Sequence, residues 1–353
     1  MPNEIELLRE LVGTQSISGN EEPVARLAES AARAAGLDVT RDETGVKIVV
    51  DGRAPGGRTL AFATHLDVVP PGEGWTRDPF TPVVESDRLF GRGSGDAKAS
   101  VAAMMTAAMD VAARGFARGR LMVILSYGEE TRHATMPEAV ASLPPIDAAV
   151  VGEPTNLDVA IAQRGLMMAD LVAHGDQRHA GYASQGGFTN AIVALAHDLV
   201  KLEAVAQERR HPILGAATVT ATMVEAGVSR NVTPPSAKAV LDIRSTPDWT
   251  HPELAAVIRA ALESELIVTS ERLVPCETPA GSALLDAAKR VNPVLATFGS
   301  PTCSDWVFLR HADTIKCGPG TSRRSHTPDE YVDIPEVTAA RAFYAALARE
   351  YLA

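Results

Sequence analysis

Apolar positions in Glu4–Val12 and Glu21–Ala35 recur at helical spacing, and Gly36 offers a stop after the second, so the chain is predicted to open with two helices. The period then shortens. Val46–Val50, Thr59–Ala63, Leu121–Ser126 and Ala148–Val151 are short apolar or β-branched runs bounded by glycine, proline or charge, as strands are. Between the second and third lies Ser100–Ala113, long and rich in alanine and methionine like a buried helix, which gives the alternation of an α/β sheet. After Gly165 the texture changes. Leu166–Ala173, Ala217–Glu225 and Ala237–Ile243 read as strands, Thr189–Glu208 and His251–Leu262 as helices, and from about Ser282 the pattern returns to helix, short strands and a last helix, Ile334–Tyr351. The expectation is an α/β catalytic domain, a mixed sheet flanked by helices, built from 1–165 and 282–353 and interrupted by a smaller two-layer α+β domain at 166–281. No internal repeat shifts the weight from sites to an array.

Composition narrows the function. Over 353 residues, 46% are hydrophobic and 22% charged, which excludes a collagen, a coiled coil or a disordered chain. A net charge of −11 disfavours nucleic acid and anionic membrane as partners. The first residues lack the pattern of an export signal, and no apolar run nears the roughly 20 residues that span a bilayer, so a cytoplasmic protein is expected. Three cysteines, Cys276, Cys303 and Cys317, show no CxxC spacing and are expected as reduced thiols outside the chemistry.

Five short segments carry the candidate chemistry. His65-Leu66-Asp67 closes an apolar strand, a place where a histidine can bind a metal while an acid two residues on holds its other nitrogen. Spacing alone is cheap, since about one such pair is expected by chance. Gly91-Arg92-Gly93-Ser94-Gly95-Asp96 is a glycine-rich turn ending on an acid before a helix, without the spacing of a nucleotide loop. Gly128-Glu129-Glu130 and Gly152-Glu153 place acids just past strands, and Ser325-His326-Thr327-Pro328-Asp329-Glu330 places a histidine before the last helix. Strand ends of one α/β sheet converge on one rim. Oxygen and nitrogen donors gathered there without thiolate suit a catalytic zinc, cobalt or manganese site in which one carboxylate could bridge two ions.

The segments HLDVVPPGEGWTRDPF, GRGSGDAK, GEE, VGEPT and SHTPDEY, in that order over nearly the whole chain, resemble the aminoacylase, acetylornithine deacetylase and succinyl-diaminopimelate desuccinylase family of two-zinc amidohydrolases. The resemblance implies a catalytic domain of zinc-peptidase form and a smaller inserted domain through which such chains form homodimers. It implies two divalent ions, zinc or in its place cobalt or manganese, one held by His65 and Glu153, the other by Glu130 and His326, with Asp96 between them. It further implies Asp67 fixing the ring of His65, Glu129 as general base, His179 as an oxyanion donor, and substrate contacts at Asn231, Arg244 and Gly320. Ala97 and Ala99 depart from the Met and Gly common after the bridging acid, and the segment around His179 lacks the usual serine-rich form.

The loops Pro301–Asp305 and Gly318–Glu330 look closest to the acetylornithine and acyl-lysine branch, so the implied reaction is hydrolysis of N²-acetylornithine in arginine or lysine biosynthesis. The alternatives are a succinyl-diaminopimelate desuccinylase, an acyl-lysine hydrolase acting on a carrier protein, and a small-peptide carboxypeptidase. A catalytically inactive binding relative is disfavoured by the complete set of ligands with Glu129.

Overall fold

The computed structural model describes residues 3–133 and 135–353. The chain divides into two compact units, one running from its start to Ile161 with Thr278–Phe298 and Ser304–Ala353, the other made of Ala162–Glu277 and Gly299–Cys303.

In the larger unit the sheet is parallel at its centre and antiparallel at its flanks. Ala54–His65 lies between Arg118–Ser126 and Ala148–Val151, parallel to both, and Asp313–Lys316 runs parallel to Ala148–Val151. Gly45–Asp51 joins Arg118–Ser126 antiparallel, with Asp38–Asp42 beyond it, and Val159–Gln163 joins Asp313–Lys316 antiparallel. The central strands are nearly continuous apolar runs because both faces are covered. Register then decides where chemistry can occur. His65 stands opposite Ser126, Ala63 opposite Val151, and Val151 opposite Lys316, so four carboxyl ends lie within two residues of one line. Segments leaving those ends emerge on one rim.

Helix Lys98–Arg114 is apolar almost all round and buried, and it packs on the sheet and on helices Glu4–Gly13 and Ile334–Tyr351. Its alanines keep it close. A Cβ at Gly152 would meet Met104 Cε at 2.7 Å and Ser100 Cβ at 2.9 Å; the methionine tip can move, but Ser100 Cβ is fixed to the helix, so glycine lets this helix pass close to the end of a strand. The last helix is tied to the sheet by Tyr344, whose hydroxyl donates to the Cys317 carbonyl at 2.7 Å while its ring packs on Phe62, centroids 5.3 Å apart.

The smaller unit is a four-stranded antiparallel sheet in the order Thr218–Ala226, Ser236–Ser245, Gly165–His174, Glu265–Leu273, with helices Ala191–Lys201 and His251–Ala261 packed on it. Gly165–His174 and Ser236–Ser245 alternate buried and half-buried residues, the signature of a sheet with one face on a core. The helix expected over Thr189–Glu208 is shorter. Asn190 caps its start by accepting from the Ile192 amide, and Leu202–Ala204 tightens to a 3-10 turn. Among the described residues no helix is long and apolar enough to cross a membrane.

Phe62 sits at the centre of the larger unit and is fully buried. Phe62→Ala is expected to lower unfolding free energy by about 3–5 kcal/mol through lost burial and the cavity left behind. Chemical denaturation followed on the larger unit's transition checks this, and a loss below about 1 kcal/mol would show that the core refills the site.

Candidate metal centre

Two buried carboxylates shape the rim before any ligand is considered. Asp67 Oδ1 accepts the Glu129 amide at 3.0 Å, and its Oδ2 accepts the Glu130 amide at 3.1 Å and the Ser18 hydroxyl at 2.7 Å. Glu21 accepts the Gly128 amide at 3.1 Å, so every residue of the Gly128–Glu130 turn hangs from a carboxylate of another segment. Glu330 does the same for the glycine-rich loop. It accepts the amides of Gly93, Gly95 and Asp96 at 3.1, 2.9 and 3.1 Å, and the Arg92 guanidinium meets it at 2.6 Å with both side chains buried. Charge-assisted bonds of this kind are the strong ones, and they fix where the neighbouring acids point.

His65 Nδ1 lies 3.0 Å from the Asp67 carbonyl oxygen and 3.4 Å from its Oδ1, which sets the proton on Nδ1 and leaves Nε2 as the ligating atom. That Nε2 is buried, has no hydrogen-bond partner among the described residues, and faces Asp96 Oδ1 at 3.4 Å. Asp96 Oδ2 is 3.7 Å from His326 Nε2, which lies 3.0 Å from the Glu130 carboxylate. Two donor sets result, His65 with Asp96 and Glu153, and Asp96 with Glu130 and His326, each with its donor atoms within 4.8 Å of one another. Asp96 is in both.

The electrostatics describe a site short of positive charge. Burial pushes Glu153 up to about 8, with Asp96 adding to the shift. Burial also pushes Glu129 well above the usual carboxylate range, and Glu153, Asp305 and Glu130 reinforce it against the opposing pull of His65. Burial would lower His65, but Asp67, Asp96 and Glu129 outweigh it and hold the ring well above the ordinary histidine value. Acids driven toward neutrality around an imidazole driven toward the cation call for added positive charge, and the orphaned His65 Nε2 marks one place to put it. The nitrogen and oxygen donors fit a pair of divalent cations sharing Asp96.

A model of peptidase family M20/M25/M40 matches residues 61–350. The chain belongs to that family. It is a metal-dependent hydrolase whose fold is that of solved family members: an aminopeptidase from Bacillus cereus superposes at a TM-score of 0.81 and 18% identity over 99% of both chains. A metallo-carboxypeptidase from Sulfolobus solfataricus superposes at 0.79 and 17% identity, again over 99% of both. Among curated relatives, succinyl-diaminopimelate desuccinylase 2 of Ruegeria is 28% identical over 98% of this chain and 94% of its own length. Succinyl-diaminopimelate desuccinylase of Xanthomonas oryzae is 30% identical over 84% of this chain and 85% of its own. The relatives therefore favour the succinyl alternative over the N²-acetylornithine expected from the loop forms.

Other expected residues fall as follows. Gly320 lies in the larger unit, its amide donating to Glu336 Oε2 at 2.9 Å and its carbonyl accepting from Asn156 at 2.6 Å. In the smaller unit His179 and Asn231 are neighbours, since the Asn231 carbonyl accepts the Ala180 amide at 2.8 Å. Arg244 is apart from them, near the other end of Ser236–Ser245, with its fork on Asp242 at 2.7 and 3.0 Å. The Cys317 thiol is buried and pushed up to about 12, far from a nucleophile's range. Sequence reasoning assigned no role to Glu330, Arg92, Glu21, Ser18, His133 or Asp305. Of these, Arg92 and Glu330 stand inside the quoted segments, and His133 follows Glu129 by four residues.

A carboxyl raised by folding binds more protons in the native state than in the unfolded one, so it costs stability as pH climbs from its unfolded value, 4.5 for Glu153, to about 8. Raised His65 acts in the same direction, its contribution present below 6.5 and lost as pH rises. The metal-stripped protein is thus expected to lose thermal stability from pH 5 to 8, and zinc to restore more at pH 8 than at pH 5. Thermal melts with and without chelator check this; equal zinc-induced shifts at both pH values would contradict it.

Proposed function

We propose that this chain hydrolyses the amide bond of an N-acyl amino acid, with an N-succinyl diaminopimelate type of substrate first and N²-acetylornithine second. The observation that carries the chemistry is the sharing of Asp96 by two donor sets. His65, Asp96 and Glu153 would hold one ion, and Asp96, Glu130 and His326 the other, zinc being the metal that suits such donors best. When bound, such ions acidify water and polarise a carbonyl. Glu129 takes the proton of the attacking water, the acyl carbon–nitrogen bond breaks, and Glu129 returns that proton to the leaving nitrogen, giving a carboxylate and a free amine.

The succinyl preference is supported by the names of the relatives and by exposed Arg323, three residues before His326, where a second carboxylate could be met. Arg324 is less available, held on Asp333 at 2.9 Å and stacked on Tyr331. His179 belongs to the proposal as an oxyanion donor: its Nδ1 accepts the Gly181 amide at 3.0 Å, so the neutral ring carries its proton on Nε2. Asn231 and Arg244 remain proposed substrate contacts, and Gly320 a proposed backbone contact. Homodimerisation through the smaller domain is supported by its exposed apolar residues, Ile192, Val193 and Val200 on a helix and Met223 and Val224 on the edge strand Thr218–Ala226.

Replacing the base and a ligand separates their roles. Glu129→Gln is expected to keep both ions and lose about 10²–10⁴-fold in kcat, whereas Glu130→Gln loses bound metal as well. Metal content measured beside turnover decides; a Glu129→Gln protein with one ion fewer and an unchanged rate per ion would exchange the assignments.

Substrate choice is read from kcat/KM on N-succinyl-diaminopimelate and N²-acetylornithine. A preference of tenfold or more for the succinyl compound is expected, about 1.4 kcal/mol in the transition state. The same preference for acetylornithine would reverse the order.

A further inference from the structure

His133 and Asp305 have no part in the reading above, yet they bring a third set of donors against Glu129. His133 Nδ1 lies 2.9 Å from Asp305 Oδ1 and 3.5 Å from Glu129 Oε1. One donor atom from each of the three lies within 4.8 Å of the others, as in the two sets around Asp96. Donors bonded to one tetrahedral zinc at about 2.0–2.1 Å stand about 3.3 Å apart; 2.9 and 3.5 Å bracket that value, and 3.4 Å for His65–Asp96 and 3.7 Å for His326–Asp96 lie just above it.

A second observation points to a ligand. The Glu129 side chain is only 9% exposed, its carboxylate accepts no hydrogen bond among the described residues, and it is aimed at His133. Asp305, 2% exposed, is oriented from behind: the Ser126 hydroxyl donates to Oδ2 at 2.9 Å, leaving Oδ1 toward His133. A metal-binding carboxylate is commonly braced in this way. Two carboxylates and one imidazole supply two negative charges that a divalent cation cancels. In the protein without a cation the His133 Nδ1–H donates to Asp305 Oδ1 at 2.9 Å; a bound cation takes the place of that proton, which moves to Nε2, and the Nδ1 lone pair then completes the set.

We propose that Glu129, His133 and Asp305 form a third divalent-cation site, weaker than the pair around Asp96, through which excess zinc inhibits the enzyme. The inhibitory half rests on the reading of Glu129 as the base, because a cation on Glu129 Oε1 occupies the oxygen that would accept the proton of water. The site is weaker because it offers three protein donors beside two cations already bound.

The test uses protein loaded with two zinc ions per chain, dialysed against rising free Zn²⁺, with bound metal counted by atomic emission and hydrolysis measured at the same concentrations. Wild type is expected to take up a third ion and lose activity in parallel. His133→Gln is expected to keep the first two ions and to need at least tenfold more free zinc for both effects. Asp305→Asn, which retains an acceptor for Ser126, is the second arm should the first variant fold poorly. Saturation of wild type at two ions, a third ion bound with unchanged affinity in both variants, or loss of one of the first two ions in His133→Gln overturns the site. A third ion bound without loss of activity overturns its inhibitory role. Because the ions are counted independently of turnover, a protein that takes up a third ion yet cleaves no N-acyl amino acid would overturn the proposed function and leave the site standing.

Discussion

The mutual repulsion of acids is the constraint on which the catalytic unit is built. Asp67, Asp96, Glu129, Glu130 and Glu153 crowd one rim, and two like charges about 4 Å apart repel by about 4 kcal/mol at the effective dielectric of a protein surface. Left to flexible loops, such acids would splay into water. The chain prevents this with carboxylates that are themselves satisfied. Asp67 holds the amides of Glu129 and Glu130, and Glu330, paired with Arg92, holds those of Gly93, Gly95 and Asp96. Each anchor comes from a segment distant from the loop it holds, so the sheet must be assembled before the site can exist.

This arrangement separates holding from acting. Asp67 is held below the usual range because His65, Ser18 and the Glu129 amide outweigh its burial, whereas at Glu330 burial and the nearby Asp96 outweigh Arg92 and the loop amides. Glu129 and Glu153, which receive few donors, are likewise pushed up. An acid meant to accept and return a proton has to be left short of donors, and one meant to orient a histidine has to be saturated with them. At Asp67, His65 and Ser18 supply more of the difference than the backbone amide does, and the identity of the acid alone does not encode it.

That distinction also marks what could be read in advance. Strands ending at His65, Ser126 and Val151 were legible because central parallel strands are apolar runs closed by polar residues, and the acids just past them stand out. Asp38–Asp42 was not, because DVTRD alternates without an apolar face and is a strand only by pairing with Gly45–Asp51. Asp96 was legible as an acid in a glycine-rich turn; its membership of both donor sets came only from the resemblance and then from geometry. Glu330 and Asp305 were invisible as partners because their contacts span more than 170 residues of chain. Spacing cannot carry information over such separations.

The smaller unit limits how substrate contacts can be shared. Strand Ser236–Ser245 rises about 3.3 Å per residue, so Arg244 lies roughly 26 Å from Ser236, at whose end the segments of His179 and Asn231 meet. That span exceeds an N-acyl amino acid. Under the proposed homodimer, Arg244 of one copy and the His179–Asn231 pair of the other could serve one substrate molecule, and a site assembled in that way would be incomplete in a monomer. Under that proposal the exposed valines and isoleucine of helix Ala191–Lys201 and the strand Thr218–Ala226, at the edge of its sheet among the described residues, would serve more than stability, because a fixed association would present residues from one copy to the chemistry of the other.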